Sequence, residues 1–226
     1  KHIKYPLVST EMIPDIAILD PALPAKMPKH ITANTGMDVL AHAIEAYVST
    51  AASPYTDALA IQAIKLVLEN IVTAYEHGDN MEARNNMHNA SALAGMAFTN
   101  ASLGLIHSLA HKIGGEFGIT HGLTNAILLP YIIQFNRKST DKVSKLEKDL
   151  GIENLSSCIK ELNEKLDIPL NFKDVTEVDM NEDKFKEVLV RMSENAYNDP
   201  CTATNPRESD PKIVEMIYTS AYYGKD

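Results

Sequence analysis

The chain divides into two regimes of hydrophobic patterning. In residues 1 to 27, the runs KYPLVS and PDIAILDP are short and rich in β-branched residues, and Pro6, Pro14, Pro21 and Pro24 punctuate them. That pattern predicts two strands. Two strands alone do not make a stable sheet, so they read as the trailing edge of a sheet whose other strands are missing from this chain. After Pro28 the apolar positions recur at helical spacing almost throughout, which predicts an all-α domain over residues 28 to 226. A first helix carries TGMDVLAHAIEAYVS to about Tyr47. Ser53-Pro54 opens a long amphipathic helix to about Tyr75. Gly78 and Asn80 end that helix and cap the next, which runs through ARNNMHNASALAGMAF. Ser102 is expected to cap the following helix. His121 and Gly122 open another, in which Pro130 should bend the axis. From residue 139 the pattern becomes four charged amphipathic helices, read as a wrapping layer with its charge outside.

Two stretches, 85 to 111 and 117 to 136, contain no charged residue and are long enough to span a bilayer. The first holds Asn85, Asn86, Asn89, Asn100 and three histidines. The second holds His121, Asn125, Pro130 and Gln134. Polar groups at that density predict buried core helices instead of spans.

The segment 102 to 130, SLGLIHSLAHKIGGEFGITHGLTNAILLP, contains His107, His111 and His121, three of the eight histidines. His107 and His111 are four apart, so on a helix both imidazoles leave one face. His121 lies fourteen residues beyond His107, about 21 Å along a continuous helix. Gly114, Gly115 and Gly118 fall in that gap and let the chain stop and double back. Upstream, Asp38 and His42 form a second i, i+4 pair. A lone HxxxH is commonly core or surface. Two such pairs and a returning histidine instead gather one hard oxygen and several imidazoles, with Asp38, His42, His107, His111 and His121 all as candidate donors. The set suits iron(II), zinc or a related divalent ion. It has too few oxygens for calcium and no thiolate in place.

Composition narrows the rest. Hydrophobic residues make up 45% and charged residues 23%, an ordinary globular balance, and the net charge of −9 argues against nucleic acid or an anionic membrane as partner. Cys158 and Cys201 are distant, with no CxxC, and KHIKYPLVST is unlike a signal peptide. A reducing, cytoplasmic setting is therefore expected.

Four motifs in this order, TGMDVLAHAIEAYVS, GMAFTNASLGLIHSLAHKIGG, THGLTNAILLP and NDPCTATNPR, resemble the iron-containing (group III) alcohol dehydrogenases. The resemblance covers essentially the whole chain. It implies a metal-binding helical domain that follows a dinucleotide-binding α/β domain. It also implies four metal ligands, Asp38, His42, His107 and His121, with His111 set beside the nicotinamide and substrate. Phe98 and Cys201 match pocket positions in the family. The cofactors implied are Fe2+, with Zn2+ as alternative, and NAD(H) or NADP(H). The implied substrate is a small primary alcohol or aldehyde, and a homo-oligomer is the expected assembly. The family's glycine-rich pyrophosphate loop has no counterpart here, since GGEFG at 114 to 118 is not GxGxxG and follows no strand. This chain alone is therefore expected to be inactive.

Two rival readings use the same residues. A metal-dependent hydrolase would need a carboxylate base near the ion, and Glu45 is the one nearby candidate. A non-catalytic helical module would bind metal or mediate oligomer contacts without turnover.

Overall fold

A computed structural model describes residues 9–225. Among them are nine α-helices and no strand. The helices are α1 (Lys29–Val48), α2 (Pro54–Glu76), α3 (Met81–Ala101), α4 (Leu105–Phe117), α5 (His121–Asn136), α6 (Lys142–Leu150), α7 (Leu155–Lys165), α8 (Glu182–Tyr197) and α9 (Pro211–Tyr223). The all-helical expectation holds.

Among the described residues the β remnant is not formed. KYPLVS lies largely outside the described residues. PDIAILDP has no regular secondary structure and lies between 3-10 turns at Thr10–Met12 and Pro24–Lys26. Its Ile16 and Ile18 are 79% and 85% exposed. A strand is held by ladder hydrogen bonds to a neighbour, and no neighbouring strand is present among the described residues.

The helix boundaries follow local chemistry. At α2 the Ser53 side chain accepts from the Thr56 amide at 3.3 Å, and the Thr56 hydroxyl accepts from the Ser53 amide at 2.8 Å, a reciprocal capping box with Pro54 in the first turn. Asn80 caps α3 through the Ala83 amide at 3.0 Å. Ser102 does not cap α4. It ends α3 with φ 63°, and the residue before α4 is Gly104. A Cβ on Gly104 would sit 2.9 Å from Glu45 Oε1, so only glycine leaves room for that carboxylate.

Helices α1, α2 and α3 pack on one another, and α1 also packs on α5. The buried face of α3 carries Ala83, Ala90, Ala94, Ala97 and Ala101, small side chains that let its neighbours approach closely. The packed face of α2 carries Ala60, Ala63, Ile64, Val67 and Ile71. By length and composition α2 could cross a membrane, but this face is packed against α1 and α3. Each fully buried Ile or Leu in such a core contributes roughly 1.5–3 kcal/mol.

The α5 helix is buried along nearly its whole length and runs unbroken through Pro130. Proline has no amide hydrogen for the carbonyl four residues back, that of Ala126. Asn163 on α7 supplies the missing donor, its Nδ2 reaching Ala126 O at 2.9 Å. Ser156 adds a hydrogen bond to Pro130 O at 3.0 Å. This is how α7 is fastened to α5. The C-terminal helices wrap the core as expected: Val143 and Leu146 of α6, Ile159 of α7 and Phe185 of α8 point inward.

Candidate metal centre

Three helices deliver the candidate donors. Helix α1 presents Asp38, His42 and Glu45 along one side, and α4 presents His107 and His111. The α4 helix continues through Gly114 and Gly115, so the reversal is narrower than the glycine cluster suggests. Only Gly118 takes the left-handed conformation, at φ 77°. The chain then returns as α5 with His121 at its first turn. Gly122 makes that return possible: a Cβ there would lie 2.2 Å from the Asn34 carbonyl oxygen on α1.

The turn succeeds in bringing the histidines together. His107 Nε2 and His121 Nε2 lie 3.6 and 3.7 Å from the same oxygen, Asp38 Oδ1. Asp38, His107 and His121 form a group whose ligand atoms all lie within 4.8 Å of one another. His42 stands at its edge, with Nδ1 3.8 Å from Asp38 Oδ1 and its ring centroid 4.3 Å from that of His107. Its other face stacks on Phe98 at 4.6 Å and 19°. His111 is close but turned elsewhere, its Nδ1 on Asp199 Oδ2 at 3.1 Å.

The electrostatics match a cation site. Burial disfavours the charged form of Asp38. The hydrogen bond from His107 and the adjoining imidazoles outweigh that effect and hold the carboxyl well below the usual range. Burial, reinforced by His107, pushes His42 down to about 3, leaving a neutral nitrogen donor. Burial also opposes charge on His107, but Glu45 and then Asp38 outweigh it and raise that imidazole to about 9. Protons on such nitrogens compete with metal, as expected of any histidine ligand set.

One residue of the site escaped sequence reasoning, and a second takes a role other than the base considered for it. Asn125 projects its Nδ2 into the donor group, 2.5 Å from Asp38 Oδ1, 3.1 Å from His107 Nε2 and 3.2 Å from His121 Nε2. Its buried Oδ1 has no hydrogen-bond partner. Three electron-pair donors converging on one electropositive nitrogen, with an orphaned oxygen beside it, is the environment a divalent cation would satisfy. The residues present therefore fit a metal. The available signal was its spacing: Asn125 lies four residues after His121, a third i, i+4 pair. The second residue is Glu45. It is 1% exposed, with Oε2 on His107 Nδ1 at 2.6 Å and Oε1 accepting from the Ile106 amide at 2.6 Å. Both oxygens are engaged and neither faces solvent, which removes the base that a hydrolase would need.

Cys201 is buried, and burial first, then the charge of Asp199, pushes its thiol well above the usual range. It is a protonated, unreactive group packed near His111 and Asp199. Cys158 and Cys201 are both free. Along α1 and α3, beside Asp38 and His42, lies a cavity of about 230 Å3 lined by Met27, Gly36, Val39, Met87, His88 and Ser91 among others.

The structure is thus an all-helical domain with a partly buried carboxylate-histidine cluster at a helix reversal. Residues 32–222 match the model of the Fe-containing alcohol dehydrogenase family, C-terminal, and the chain belongs to that family. It is 45% identical to an NADPH-dependent butanol dehydrogenase of Clostridium saccharobutylicum, over 100% of this chain and 59% of that protein. A 1-propanol dehydrogenase of Salmonella typhimurium is 42% identical over 96% of this chain and 62% of its own length. Among solved structures, the iron-containing alcohol dehydrogenase of Thermococcus thioreducens superposes with a TM-score of 0.89 at 38% identity, over 97% of this chain and 57% of that one. The chain thus spans about three fifths of these relatives.

Proposed function

We propose that this chain is the metal-holding part of a nicotinamide-dependent alcohol dehydrogenase that interconverts a small primary alcohol and its aldehyde. The observation that carries the reading is the convergence of Asp38, His107 and His121 within 4.8 Å. His42, one turn from Asp38, is the fourth donor. Iron(II) is the favoured ion and zinc the alternative, given three imidazoles and one carboxylate. Once bound, the ion supplies Lewis acidity toward a substrate oxygen.

The chain's own residues supply the rest. Glu45 holds His107 Nδ1, so its Nε2 faces the cluster. Phe98 braces His42 and lines the approach. The His42–Met87 side of the cavity gives an aliphatic tail a partly apolar place to rest. His111 receives the alcohol proton at Nε2 and passes it to solvent. Cys201 packs beneath His111 as an inert wall. Residues 1 to 27 lead from a dinucleotide-binding domain that holds NAD(H) or NADP(H). Hydride transfer needs the reacting carbon and the nicotinamide held about 3–3.5 Å apart, which a freely diffusing cofactor does not achieve.

The test is turnover of a primary alcohol by the iron- or zinc-loaded chain with either nicotinamide, before and after fusion to a nucleotide-binding domain. We expect activity only in the fusion. Robust turnover by the unfused chain, or none by a folded, metal-loaded fusion, would refute the reading.

A further inference from the structure

His111 follows His107 by one turn of α4, yet it meets a different carboxylate. Asp199 is 4% exposed, and its two oxygens are divided between partners. Oδ1 accepts from the Cys201 amide at 3.0 Å, capping the 3-10 turn Pro200–Thr204 and fixing the plane of the carboxylate. Oδ2 accepts from Lys112 Nζ at 2.6 Å and faces His111 Nδ1 at 3.1 Å. Burial opposes the charge on Asp199, but His111, Lys112 and the Cys201 amide together outweigh it and hold the acid well below its usual range. An ionised carboxylate has no hydrogen to give, so the hydrogen between the two groups sits on His111 Nδ1. On a neutral ring, Nε2 then carries the lone pair. No hydrogen bond among the described residues uses it, and the ring lies flat against that of His121, with centroids 5.5 Å apart and planes at 10°.

His111, Asp199 and Cys201 also sit close enough to suggest a second metal site. Lys112 Nζ already holds the Asp199 oxygen that would ligate, and the Cys201 thiol stays protonated. The geometry serves an imidazole better than an ion.

We propose that Asp199 is the positioning residue for His111, locking its ring in the Nδ1–H tautomer so that the Nε2 lone pair is the one offered to substrate. The inference rests on the role given to His111 above, and its test separates the two. The substitution Asp199→Asn is informative because asparagine offers one acceptor oxygen where aspartate offers two. With that oxygen retained on the Cys201 amide, the NH2 group faces His111 Nδ1, and the ring must answer with a lone pair.

The measurement is the imidazole 15N spectrum of the zinc-loaded full chain, with His111 assigned by its absence in His111→Gln. We expect Nδ1–H in the native chain and Nε2–H in Asp199→Asn, with circular dichroism unchanged. A native His111 protonated on Nε2 would overturn the proposal without any variant having to fold. Retention of Nδ1–H in a folded Asp199→Asn chain would overturn it as well. In the chain fused to a nucleotide-binding domain, Asp199→Asn should lower kcat about 100-fold, the scale of a lost proton-transfer partner, and leave KM within about threefold. A moved tautomer with unchanged kcat would uphold the positioning role and instead refute the reading of His111 as proton carrier.

Discussion

His107 and His111 stand one turn apart on the same helix, and each turns its Nδ1 to a buried carboxylate, but the two pairs are built differently. Glu45 comes from α1, the helix that also carries Asp38 and His42. Among the described residues it pairs with no lysine or arginine, and its second oxygen caps the start of α4 at Ile106. Asp199 comes from the turn after α8 and divides its charge between His111 and Lys112. The undivided carboxylate enriches His107 as an electron donor toward a cation. The shared one sets a tautomer and leaves His111 outside the donor group. On the proposed reading, equal spacing on one helix produces a ligand and a non-ligand, and the partner on the neighbouring element makes the difference.

The sharpest way to break this comparison is to remove the histidines. His107→Ala and His121→Ala should abolish metal retention, while His111→Ala should keep it, as read by elemental analysis after desalting. Equal loss in all three would erase the distinction. The next effect acts through the carboxylates. Glu45→Gln should weaken zinc binding about 10- to 100-fold in a chelator competition, whereas Asp199→Asn should change it by less than about threefold. Matching losses would mean that both pairs serve the ion.

A smaller effect probes the reversal that brings His121 to His107. Gly122→Ala places a Cβ 2.2 Å from the Asn34 carbonyl oxygen, so α5 must move off α1. The cost should be about 1–3 kcal/mol in denaturant unfolding, with weakened metal retention alongside. Gly95→Ala is the control: a Cβ there meets nothing within 4 Å, in the middle of α3. It should raise stability by about 0.5–1 kcal/mol and leave the metal alone. A destabilised Gly95→Ala, or a neutral Gly122→Ala, would show that the close approach is not what places His121.

Much of the site was legible because its signals are local. The Asp38/His42 and His107/His111 pairs need only helical periodicity, and the return of His121 needs only a residue such as Gly118 that accepts positive φ. Ser53 and Asn80 marked their helices for the same reason, since a cap is a contact within one turn. Where the reading failed, a distant partner was decisive. Ser102 was expected to cap α4, but the carboxylate of Glu45, sixty-odd residues earlier in the chain, does that work beside Gly104. The PDIAILDP segment has strand composition yet forms none, because a strand exists only through its neighbour.

The order of residues was enough to predict helices over 28 to 226, their principal boundaries and a pool of five candidate donors for a divalent ion, since each follows from spacing within a few turns of backbone. Packing alone sorted that pool. Glu45 and Asp199 reach α4 from positions 62 and 88 residues away in sequence, and Asn125 enters the cluster only after α5 has closed onto α1. No periodicity encodes such distances. A buried carboxylate acts over a few ångströms of low-dielectric interior, and the fold decides which imidazole lies within that reach.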